Sequence, residues 1–142
     1  MTTNMDLVER VDWERIKPMS RNAGGHDDQM QSLLKNSKVI AHWNEGDYQG
    51  SVATCVQLND TKEIVIYEDS YGSCSGCDAW EDCSDEDAFR MCKGLAASAK
   101  IFKTIKECKD FLLLKKHDEP DFCWNYCSKQ LLKEINERSG KE

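Results

Sequence analysis

Three cysteines in one short turn are the residues whose spacing comes nearest to chemistry. Cys74-Ser75-Gly76-Cys77 is a Cys-x-x-Cys pair, and Cys83 follows six residues later. That spacing lets two thiolates grip one tetrahedral ion in a tight turn, which makes Cys74, Cys77 and Cys83 candidate zinc ligands. A structural zinc site normally has a second pair, and Cys92, Cys123 and Cys127 are available to complete it. The same pair can work as a redox dithiol where a helix N-terminus lowers the first thiol's pKa. Here Asp78, Glu81 and Asp82 follow the thiols and oppose that effect, and no βαβ pattern precedes them. The third reading is a rigid turn: Gly72 and Gly76 permit positive φ, Ser73 and Ser75 bond local backbone, and the thiols pack beneath. The sequence leaves all three open.

The second feature is charge. The chain has 19 basic and 26 acidic residues, a net −7. Residues 67–99 carry eight acids against only Arg90 and Lys93, so nearly all the excess lies there. Asp78, Glu81, Asp82, Asp85, Glu86 and Asp87 form a block without a base, and Trp80 sits within it. Asp85, Glu86 and Asp87 suit the positive end of a helix dipole, which explains part of the block structurally. As a surface, the block fits a basic partner and repels nucleic acid phosphates. The candidate partner-binding residues are therefore Asp78, Trp80, Glu81, Asp82, Asp85 and Glu86.

Other constellations are weak. His26, His42 and His117 fall in a linker, a strand and a helix end, with no His-x-x-x-His or His-Glu pairing. No serine has a Gly-x-Ser-x-Gly context, and no glycine loop fits a phosphate. This balance favours a binding protein over an enzyme.

These residues need elements to position them, and the pattern is α+β. Asp6 to Ile16 reads as one short helix, and Asp27 or Asp28 caps a second through about Asn36. Lys38–Trp43, Tyr48–Leu58 and Glu63–Asp69 read as strands of a three-stranded antiparallel meander, with turns at Asn44–Asp47 and Asn59–Lys62. Val52, Thr54, Val56 and Leu58 share one face, while Ala53, Cys55 and Gln57 share the other. Both faces are partly apolar, so helices are expected on both. Ser84 opens a long helix with the stripe Ala88, Cys92, Leu95, Ala99, Phe102, Ile105, Cys108 and Leu112. A C-terminal helix starts after Asp118, with Cys123, Cys127, Leu131 and Ile135 on its apolar side. Cys92, Cys108, Cys123 and Cys127 read as small buried hydrophobes.

At 142 residues the chain fits a single domain, 1–142. Its α+β core spans 37–142, and 1–36 form an N-terminal helical segment whose attachment to the core the sequence leaves open. There is no apolar run of membrane-spanning length and no secretory pattern at the N-terminus, so a cytoplasmic protein with reduced thiols is expected.

Tyr71-Gly72-Ser73-Cys74-Ser75-Gly76-Cys77-Asp78, after a strand and before Trp80, resembles a turn in small uncharacterised phage and prokaryotic proteins. The likeness covers roughly Tyr48 to Cys83. It implies a viral or mobile-element setting, hence the host cytoplasm, and no mechanism. Together these readings give a non-enzymatic acidic interaction protein that binds a basic protein or nucleoprotein complex, with no direct nucleic-acid contact and no membrane. In that setting it is a phage-type, anti-CRISPR-like inhibitor of a host defence or nucleic-acid-handling complex. The alternative is a zinc-stabilised or dithiol redox module using Cys74 and Cys77.

Overall fold

A computed structural model describes residues 2–16, 31–44, 50–71, 85–114 and 122–139. The elements in chain order are α1 (Asn4–Glu9), α2 (Trp13–Ile16), β1 (Ser37–Asn44), β2 (Gly50–Leu58), β3 (Ile64–Tyr71), α3 (Asp85–Ser98), β4 (Lys100–Phe102), α4 (Ile105–Leu114) and α5 (Phe122–Ser139). The class is α+β, as the pattern predicts, but the sheet has four antiparallel strands in the order β1-β2-β3-β4 rather than three.

The β2–β3 ladder is centred on the Asn59–Lys62 turn, pairing Gln57 with Ile64, Cys55 with Ile66 and Thr54 with Tyr67. Lys62 takes a left-handed φ of 66° to close it, and its N–H donates to Leu58 O at 2.9 Å. The β1–β2 register slips between Val39 and Ala41. This bulge changes the strand's parity. Val39 therefore packs in one core while Ile40, Ala41 and Trp43 pack in the other.

Strand alternation divides the interior in two. Val52, Val56, Leu58, Val65 and Tyr67 meet Leu7, Val11, Leu33, Leu34, Cys92, Leu95, Ala96 and Ala99 on the first face. On the second, Ala41, Ala53, Cys55, Ile64 and Ile66 meet Cys108, Leu112, Leu131 and Ile135. The first layer comes from α1 and α3, the second from α4 and α5. The expectation that helices cover both faces of the sheet holds for the described residues.

The single long helix from Ser84 is a misreading of the pattern, because α3 stops at Ser98 and Lys100–Phe102 pairs with Ile64–Ile66 as β4. The apolar stripe continues by threes and fours across the break, which conceals it. The local chemistry marks it. Ser98 Oγ donates back to Gly94 O at 3.0 Å, and the Asn4 amide reaches over from α1 to Ala96 O and Ala99 O at 3.2 and 2.8 Å. The Asn4 bonds supply donors to Ala96 O, which also accepts from Ala99 N at 3.4 Å, and to Ala99 O just past the helix end. Thr104 then accepts from Glu107 N at 3.2 Å, while the Glu107 carboxylate accepts from Lys103 N at 3.1 Å, so Thr-x-x-Glu opens α4.

The first predicted helix is likewise two pieces. Thr3 and Asp6 form a capping box that starts α1 at Asn4, earlier than expected. Val11 then leaves the helix to make a bridge with Leu34. Asp12 N donates to Leu33 O at 2.9 Å and Lys35 N to Arg10 O at 2.8 Å. The predicted second helix therefore does not reach Asn36: Leu34 is extended and Asn36 has a φ of 57°. The start of that predicted helix lies outside the described residues.

Candidate functional site

Cys74, Cys77 and Cys83 lie outside the described residues, as do Asp78, Trp80, Glu81 and Asp82. Among the described residues, no three His, Cys, Asp or Glu side chains are grouped to hold a metal. Asp85 is the first residue of α3, and Glu86 follows with its side chain 87% exposed. Glu86 lies 3.8 Å from the Arg90 guanidinium, one turn later on the same outward face. The inward face of α3 carries Cys92, Leu95 and Ala96 into the core, so alternation around the helix holds Glu86 and Arg90 toward solvent. Phe89 anchors the first turns sideways: Trp13 stacks on it at 5.0 Å between ring centroids, and Lys93 Nζ sits 4.6 Å from its centroid. The acidic segment thus leads into a helix whose described inner side chains, Cys92, Leu95 and Ala96, are buried in the first core.

Polar chemistry also occurs inside the fold. His42, Thr54 and Tyr67 are aligned across three strands. His42 Nδ1 lies 2.8 Å from Thr54 Oγ1, and Thr54 also hydrogen-bonds Tyr67. Burial holds the Tyr67 phenol far above its ordinary pKa, so it remains a neutral hydroxyl. This row pins the register of the three strands, because a one-residue slip would move each group to the opposite face.

On the second face Cys55 and Cys108 are both fully buried in one apolar cluster. The influence of Cys108, together with burial, pushes the Cys55 thiol well above the usual thiol range. The expectation that Cys92 and Cys108 are buried is correct. They are not neighbours on one stripe, however, because the helix break sends them to opposite faces of the sheet.

Glu63 closes the far end of the β2–β3 hairpin. Its carboxylate accepts from Thr2 N, with both oxygens at 3.2 Å, and from Thr2 Oγ1. Thr2, Asp6, Thr61, Glu63 and Lys103 line a surface cavity there. Asp6 is engaged by Thr3 N at 2.9 Å, so both carboxylates serve the fold. Burial raises the Glu63 pKa, but the bonds from Thr2 and Thr61 outweigh it and hold the carboxyl below its ordinary value. A carboxyl lowered in this way stabilises the fold above about pH 4.3, and the contribution is lost as pH falls through the lowered folded value. Glu63→Gln is therefore expected to lower stability at pH 7 by about 1–3 kcal/mol and to flatten the acid limb of the stability curve. Urea denaturation at pH 7 and at pH 3 measures both effects.

The Glu63 clasp, the polar row and the thiol pair are absent from the sequence reading. Register could have found one of them: counting outward from the Asn59–Lys62 turn pairs Thr54 with Tyr67. Nothing local predicts that Cys108 meets Cys55, or that Thr2 reaches Glu63 across 61 residues. Among the described residues, no helix is long and apolar enough to cross a membrane. No family model, curated protein or solved structure matches this chain.

Proposed function

We propose that this chain is a non-enzymatic interaction protein that docks a basic surface of a protein or nucleoprotein complex through its acidic segment. The observation that carries this reading is charge placement: residues 67–99 hold eight acids and two bases, a net −6 out of −7 for the whole chain. The exposed Glu86 on the outward face of α3 supports it. Asp78, Trp80, Glu81, Asp82 and Asp85 belong to the same surface in this reading, with Trp80 supplying an aromatic anchor. The likeness of the Tyr71–Asp78 turn to phage and prokaryotic proteins supports a host-directed role. There the acidic surface occupies a site meant for nucleic acid and inhibits a host defence or nucleic-acid-handling complex.

Charge reversal with a matched control tests it. A labelled oligoarginine peptide serves as the basic probe. Changing Asp82, Asp85 and Glu86 to lysine is expected to weaken binding about tenfold at physiological salt, at roughly 0.2–1 kcal/mol per surface pair. Changing the exposed Glu9, Glu14 and Glu137 to lysine gives the same net charge elsewhere and should have a much smaller effect, since screening confines each charge to about 8 Å. Equal losses in the two triple variants would show that net charge alone, and no particular surface, governs binding.

A further inference from the structure

We propose that the Met1–Thr2 peptide bond is hydrolysed, and that the α-ammonium group freed at Thr2 is the cation the Glu63 carboxylate is placed to hold. The geometry of the clasp carries this. Both Glu63 oxygens lie 3.2 Å from Thr2 N, and Oε1 also accepts from Thr2 Oγ1. One carboxylate thus meets one residue three times across a separation of 61 positions. A backbone amide has a single hydrogen and cannot aim it well at two oxygens. An ammonium has three, one for each oxygen and one to spare, and its bonds to a carboxylate are charge-assisted.

Glu63 is prepared for such a partner. It is only 7% exposed, and a carboxylate taken out of water gains most from a partner of opposite charge. Its N–H donates to Thr61 Oγ1 at 3.3 Å and its carbonyl accepts from Leu58 N at 2.9 Å, so the β2–β3 hairpin fixes its backbone independently of Thr2. On the other side, the capping box of Thr3 and Asp6 fixes the chain immediately after Thr2. Among the described residues, the cavity beside the clasp is lined by the carboxylates of Asp6 and Glu63 against the single ammonium of Lys103, with Thr2 and Thr61 supplying hydroxyls. One further cation, at Thr2 N, brings that set of groups to neutrality.

The step itself is a hydrolysis and needs no oxidant or reductant. The oxygen of one water goes to the Met1 carbonyl carbon, so methionine leaves as its carboxylate. Both hydrogens of that water end on the Thr2 nitrogen, which becomes the ammonium. Methionine-removing aminopeptidases act where the next side chain is short, and threonine is short enough. The cut precedes folding of this corner, because in the folded protein Thr2 N is engaged by a buried carboxylate. Anything left on that nitrogen, a retained methionine or an acetyl group, restores a neutral amide with one hydrogen.

The experiment uses the full, untagged chain, made in a bacterial host with and without an inhibitor of its methionine aminopeptidase. Intact mass and N-terminal sequencing are expected to show Thr2 as the first residue when the inhibitor is absent. That form should melt a few degrees above the form retaining Met1, and Glu63→Gln should erase the difference. Thr2→Val removes the hydroxyl, stays short enough for the cut and should keep most of the difference. Retention of Met1 in the uninhibited protein would overturn the proposal, as would equal Tm values for the two forms of the unsubstituted chain. So would a difference that survives Glu63→Gln, or one that vanishes in Thr2→Val and so belongs to the hydroxyl. The two forms of the unsubstituted chain decide the matter even where a variant fails to fold.

Discussion

Leu7→Ala is expected to destabilise the whole chain by about 2–5 kcal/mol, the range for emptying a fully buried leucine site. Leu7 has zero exposure and packs in the first core with Val11, Leu33 and Leu34. A six-residue helix such as α1 does not persist in water by itself, so its order derives from this packing. The contacts are mutual, because the Asn4 amide supplies hydrogen bonds that the end of α3 needs. Arg10 bonds Asp60 at the β2–β3 turn and holds that carboxyl below its usual range, joining α1 to the hairpin as well. Met5→Ala on the outer side of the same helix, where Met5 is 69% exposed, should stay within about 0.5 kcal/mol. Urea titrations of both variants followed by circular dichroism measure the difference. A Leu7→Ala cost below about 1 kcal/mol would remove α1 from the core.

Ile135→Ala is expected to cost a similar 2–5 kcal/mol from the other side of the sheet. Ile135 and Leu131 are fully buried in α5 against Ala41, Ala53, Cys55, Ile64 and Ile66. The two cores share no residue and the sheet separates them. The Leu7→Ala and Ile135→Ala costs should therefore add to within about 0.5 kcal/mol in the double variant. A larger coupling in double-mutant analysis would mean that the layers are not independent and that strain passes through the strands. With each single variant losing several kcal/mol, additivity is best measured with a stabilising osmolyte present in all four proteins.

Much of the strand architecture was legible because local chemistry and tertiary structure agree there. The Asn59–Lys62 turn fixes the β2–β3 register, and the alternation of Val52, Thr54, Val56 and Leu58 against Ala53 and Cys55 announces a sheet covered on both faces. Leu131 and Ile135 likewise belong to the buried side of a C-terminal helix. The failures have physical reasons. The stripe from Ala88 to Leu112 is consistent with one helix at every step, and only tertiary pairing with Ile64–Ile66 turns Lys100–Phe102 into a strand. Thr104-x-x-Glu107 was a readable start signal inside that stripe. Val11 and Leu34 fit helical spacing but gain more from bridging each other. Of the candidate site, Asp85 opens α3 and Glu86 is exposed on its outward face. The long-range partners, Cys55 with Cys108 and Thr2 with Glu63, depend on how the helical layers close over the sheet, which no window of sequence encodes.

The most direct test of the acidic-surface reading is a hydrogen-exchange footprint of the full chain, with and without the oligoarginine probe, at physiological salt. Added amide protection is expected to be confined to residues 78–90, covering the acidic block and the first turns of α3, and to be lost in the Asp82, Asp85 and Glu86 lysine variant. Protection centred elsewhere, such as on the α5 face carrying Glu134 and Glu137, would contradict it and move the interaction surface off the acidic segment.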